Sequence, residues 1–127
     1  MLALTSQEIA RYRSQLANSQ EALAALDMIE DCEGDLEDAA ISLAIQVGQT
    51  PDRSDWLGGL AKRCRSAICQ AECQEKLLEG QLAEGLELLI QARICPPILA
   101  TPVVLYVIQQ GVAQFCEPLN FPIKMDS

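Results

Sequence analysis

Apolar residues recur at intervals of three and four along nearly the whole chain, and no stretch alternates with period two for long enough to make a convincing strand. That spacing lines up one face of an α-helix and no face of a sheet, so the expected fold class is all-α. Half of the residues are hydrophobic, which excludes disorder and low complexity. A length of 127 residues points to one domain, large enough to bury a core without a metal or disulfides.

The helix boundaries follow from capping chemistry. Thr5 with Glu8 three residues later forms a capping box, and Ile9, Tyr12 and Leu16 then share a face until Asn18 and Ser19 interrupt. Ser19 caps a second helix with Leu23, Leu26 and Ile29 inward, which stops at Gly34, a natural left-handed position. Asp35 opens a third helix, with Glu37 and Asp38 where the dipole favours acids and Leu36, Ala40, Leu43 and Val47 on its buried face. Gly48 ends it, and Gln49-Thr50-Pro51-Asp52-Arg53 reads as a linker. It divides the single domain, 1–127, into halves of about 1–48 and 54–117, with a frayed tail at 118–127.

Ser54 caps the fourth helix. Its Leu57, Leu60, Ala61, Cys64, Ile68 and Ala71 repeat without a break signal until Gly80, as one long helix would. Another helix carries Leu82, Leu86, Leu89 and Ile90 and ends before Cys95-Pro96-Pro97. Thr101-Pro102 reads as an N-cap followed by proline at the first helical position. From Val103 to Cys116 the only clearly polar residues are Gln109, Gln110 and Gln114, so this C-terminal helix is expected at the centre, with Pro118 and Pro122 ending the regular structure. The expected architecture is a compact bundle of roughly five to seven helices.

Composition narrows the functions. Nine basic against eighteen acidic residues give a net charge of −9, which argues against nucleic acid or an anionic membrane as the main partner. Histidine is absent, which removes the commonest general base and metal ligand and the Ser-His and Cys-His dyads. No secretory signal is visible at Met1–Leu4, and the apolar stretch Ile94–Ile108 is shorter than the ~20 residues of a span and holds three prolines. A soluble, cytoplasmic protein is expected, its six cysteines reduced by default.

The densest charge feature runs from Asp27 to Asp38 and holds Asp27, Glu30, Asp31, Glu33, Asp35, Glu37 and Asp38. A calcium loop centred on Gly34 fails, because Ile29 and Ala40 occupy the positions that require carboxylates. What remains is a solvated corner whose acids serve as caps, a docking surface for a basic partner, or a weak divalent-cation site. Trp56, beside the linker, is either core or a partly exposed interface anchor. Gly58-Gly59 lack the strand and the Gly-Lys motif of a phosphate loop, which leaves close helix packing as their role.

Arg53, Lys62, Arg63 and Arg65 make a small basic patch without interleaved aromatics, so a solvated face or a contact with the acidic corner explains it better than nucleic acid does. On one continuous helix Cys69 and Cys73 would leave the apolar stripe and share a face with Lys62, Arg65 and Lys76. Cations stabilise thiolate, which makes that pair the candidate redox or metal-responsive thiols; alternatively the helix breaks near Gln70 and turns both inward. Two thiols are only half a tetrahedral set, and no metal or other cofactor is assigned.

Three stretches, Leu4-Thr5-Ser6-Gln7-Glu8-Ile9, Asp31 to Ala40 and Thr101-Pro102-Val103-Val104-Leu105-Tyr106, resemble a family of small uncharacterised helical proteins of cyanobacteria. The resemblance covers most of the chain and implies an all-α intracellular domain, with no activity or site residues to carry over. The first expectation for function is therefore a non-enzymatic interaction or regulatory protein, docking a basic partner on the acidic corner or forming a homodimer. The alternative is a thiol-based redox or metal-responsive protein using Cys69 and Cys73. Carboxylate pairs leave acid-base catalysis open, but no catalytic residue is assigned.

Overall fold

Three helices begin where an oxygen-bearing side chain precedes an apolar stripe: α1 (Ser6–Gln15), α2 (Gln20–Asp31) and α3 (Leu36–Gln46). Thr5 accepts from the Glu8 amide while Glu8 reaches back to the Thr5 amide, Ser19 accepts from Ala22, and Asp35 accepts from Asp38. These bonds satisfy first-turn amides that would otherwise lack partners. The computed structural model describes residues 3–52 and 55–120, and Ser54, expected as a cap, lies outside them. Six further helices complete the chain: α4 (Trp56–Arg63), α5 (Arg65–Ile68), α6 (Ala71–Leu78), α7 (Leu82–Ala92), α8 (Pro97–Gln110) and α9 (Val112–Asn120). Apart from an isolated antiparallel bridge between Ala3 and Asp35, the regular structure of the described residues is helical.

The nine helices of the described residues exceed the expected number because two long ones are broken. The run expected from Ser54 to Gly80 divides at Cys64 and again at Cys69–Gln70, where Gln70 is extended at φ −63° and ψ 147°. No glycine or proline marks either break, so apolar periodicity continued across them. The run expected from Val103 to Cys116 breaks at Gly111, whose φ of 98° suits glycine, and α8 and α9 meet at a 94° bend.

α8 also begins earlier than expected. Pro97 holds the first helical position after Pro96, a role the sequence offered to Thr101 and Pro102. Pro102 instead lies inside α8, where it has no amide for the Ile98 carbonyl, and the buried Thr101 hydroxyl has no partner among the described residues. Pro118 likewise does not terminate the structure but sits within α9; residues 121–127, with Pro122, lie outside the described residues. Proline bends a helix as readily as it stops one.

α8 is the centre of the bundle, as its composition predicts. Every residue from Leu99 to Leu105 is buried, and the helix packs against α2, α3, α4, α7 and α9. Its contacts with α2 and α3 carry the core across the non-helical Gln49–Asp52; Arg53, the last residue of the expected linker, lies outside the described residues. Gly58 permits the close approach of α4 to α8, since a Cβ there would stand 3.0 Å from the Tyr106 hydroxyl. Among the described residues no single helix is long and apolar enough to cross a membrane.

Candidate functional site

Cys69 and Cys116 are joined in a disulfide across 47 positions of sequence, with Cα atoms 5.5 Å apart. This corrects both the expectation of six free thiols and the pairing of Cys69 with Cys73. The extended Gln70 redirects the chain, so that Cys69 meets α9 while Cys73 turns into the core and its thiol donates to the Gly85 carbonyl at 3.6 Å. Burial, helped by Glu72, pushes the Cys73 thiol up, the reverse of the activation that a shared face with cations would give. Cys69 is partly exposed and Cys116 fully buried, so α9 is fastened covalently to the end of α5 from within.

A second thiol pair lies nearby in the chain. Cys64, between α4 and α5, and Cys95, just before α8, are both buried and hydrogen-bonded to one another. The bond from Cys95 lowers the Cys64 value, with help from Arg63 against the effect of burial, whereas donating that bond and burial raise Cys95. Cys32 stands apart at the end of α2, raised first by burial and then by Asp38. Among the described residues no three His, Cys, Asp or Glu side chains converge as a metal-ligand set.

The acidic corner is largely occupied with the fold. Arg13 of α1 pairs with Asp27 at 2.7 Å and Glu30 at 2.6 Å, and both carboxylates raise the guanidinium value. Asp35 is the cap of α3. Glu37 reaches across to α4 and accepts the Leu57 amide at 3.1 and 3.3 Å, which supplies a first-turn acceptor from another helix. Burial raises the Glu37 carboxyl, and the Leu57 and Trp56 amides pull it back. Asp31, Glu33 and Asp38 remain exposed and, among the described residues, form no ion pair. Trp56 is 7% exposed, so the indole belongs to the core and is no surface anchor; the first turn of α4 points it inward.

The basic patch has a different setting from the one expected. Among the described residues Lys62, Arg63 and Arg65 make no ion pair with the acidic corner. Lys62 and Arg65 instead line an open cleft of about 240 Å³ with Tyr106, Gln110, Gln114 and Phe115. The Arg65 guanidinium lies 4.6 Å from the Phe115 ring centroid, a cation–π contact, while its enclosed Nε has no acceptor among the described residues. An orphaned buried donor costs roughly 1–3 kcal/mol, so the arginine is held there at some expense to the fold. The sequence concealed this cleft, because Phe115 reaches Arg65 only through the turn at Gly111. Gly111 was the available signal, lying inside an otherwise unbroken apolar run.

No protein-family model, curated protein or solved structure matches the chain.

Proposed function

We propose that this protein is a small interaction or regulatory module whose α9 is fastened or released by thiol–disulfide exchange at Cys69 and Cys116. The carrying observation is the bridge itself, which ties α9 to the α5–α6 turn when the helix otherwise docks through Val112, Phe115 and Cys116. A cellular dithiol supplies the chemistry. Its thiolate attacks the sulfur of Cys69, the more exposed residue of the pair; the S–S bond breaks and Cys116 leaves as thiolate and takes a proton. The second reductant thiol then resolves the mixed disulfide, so that two protein thiols form and the reductant ends oxidised. Release would bare Phe115 and extend the surface on which Leu119 is already exposed, giving a partner an apolar helix face. Reliance on a thiol pool agrees with a cytoplasmic setting.

Hydrogen exchange with and without dithiothreitol tests this reading. Reduction should remove protection from 112–120 and leave that of α2, α3 and α8 in place, and a Cys69→Ser/Cys116→Ser protein should behave as the reduced form does in either condition. Unchanged protection of α9 on complete reduction would overturn it.

A second reading retains the acidic corner as a docking surface for a basic partner, supported by Asp31, Glu33 and Asp38, which are exposed and form no ion pair among the described residues. A basic peptide should bind at low salt, and Asp31→Asn/Glu33→Gln/Asp38→Asn should weaken it; equal binding by that triple variant removes the reading.

A further inference from the structure

We propose that the cleft between α4–α5 and the α8–α9 corner binds the phosphate group of a small molecule, with Lys62 and Arg65 as its cationic clamp. The charge balance is the first support. In a chain with eighteen acids and nine bases, the described residues that line this cleft include two cations and no acid. Neither cation forms an ion pair among the described residues, although α4 and α5 belong to a strongly acidic molecule. A solvated lysine alone would carry no meaning; an arginine fixed against an aromatic ring does.

The contact with the Phe115 ring, 4.6 Å from the guanidinium carbon to the centroid, limits the freedom of the Arg65 head group and so lowers the ordering cost of binding an anion. A planar fork donates two parallel N–H bonds to a phosphate, and the ammonium of Lys62 adds a second positive charge suited to a dianion. Tyr106, Gln110 and Gln114, whose side chains carry hydrogen-bond donors, line the same cleft. At about 240 Å³ the cleft falls below the ~300–1,000 Å³ of drug-sized pockets, so its occupant is small: free phosphate, or a phosphate ester carrying one ring or a short chain against Phe115. The inference does not rest on opening of the bridge, and its test uses the bridged protein.

Calorimetric titration with inorganic phosphate and with phenyl phosphate at low ionic strength tests it. Saturable single-site binding of either probe is expected. Tighter binding of phenyl phosphate identifies an ester as the occupant, and equal binding identifies the free anion. Lys62→Gln, on an exposed side chain that leaves the fold intact, should weaken binding by about ten-fold, and Arg65→Gln by more, as loss of a charge-assisted bidentate contact does. Absence of saturable binding by the unmodified protein, or equal affinity in the folded Lys62→Gln protein, would overturn the proposal.

Discussion

Gly34 closes the α2–α3 corner at a φ of +86°, and the extended Leu4 lies directly over it, its amide donating to the Gly34 carbonyl at 2.8 Å. An added Cβ would stand 2.9 Å from the Leu4 nitrogen and closer still to its carbonyl oxygen. Gly48 has nearly the same φ, +84°, with nothing among the described residues within 4 Å of such a Cβ. Gly34→Ala should therefore cost about 3 kcal/mol or more in urea unfolding and Gly48→Ala only about 1 kcal/mol. Equal losses would mean that Leu4 yields freely. Glu37 offers a pH test of the same region. Its folded-state value is raised, so the folded protein holds a proton that the unfolded chain has already released; this contribution is complete below the ordinary carboxylate range and is lost as pH rises through the raised value. Glu37→Gln should remove that slope from a plot of urea midpoint against pH, and identical slopes would count against the burial. Cys32 is the only partly exposed free thiol among the described residues, and burial with nearby acids raises it. Its alkylation, measured by mass mapping, should be slow at neutral pH and accelerate in more alkaline solution than for an ordinary thiol.

At the scale of elements, local chemistry was legible and long-range geometry was not. Thr5, Ser19 and Asp35 cap their helices because the donors they satisfy lie within three residues, a relation written in the sequence. The breaks at Cys64 and Cys69 have no such signature; a helical repeat can run through a turn when tertiary contacts favour bending. The continuous-helix reading misplaced Cys69 and Cys73, since assigning a face at 100° per residue assumes an unbroken axis; the alternative of a break near Gln70 agrees with the extended Gln70 and the inward Cys73, though Cys69 is half-buried and meets α9 instead. The partner of Cys69 could not be read either, because spacing does not reveal which cysteines pair. The α6–α7 hairpin supplies a direct test of packing against propensity. A Cβ at Gly85 would fall 2.9 Å from Leu77 Cγ, so Gly85→Ala should destabilise the protein by about 1–3 kcal/mol although alanine favours the helix by ~1 kcal/mol. A gain in thermal midpoint would show that Leu77 repacks without strain.

For the whole molecule, the bridge and the central helix divide the work of cohesion. Closing a loop across 47 positions removes unfolded-state freedom worth about 4 kcal/mol in the chain-entropy account. Reduced protein should lose about that much in urea unfolding relative to the bridged form, and a loss near zero would mean that the reduced chain keeps its ends together. Phe115 also walls the phosphate cleft, so release of α9 should weaken phenyl phosphate binding, and by reciprocity the ligand should make the bridge harder to reduce. The central place of α8 carries a further consequence, for synthesis on the ribosome. The faces that α2, α3 and α4 bury are covered by a helix translated after them, so the nascent chain must carry those apolar stripes uncovered until Pro97–Gln110 has left the exit tunnel. Folding of this chain is then gated by elongation: a pause before residue 97 prolongs the interval in which its earlier helices leave apolar surface open to aggregation.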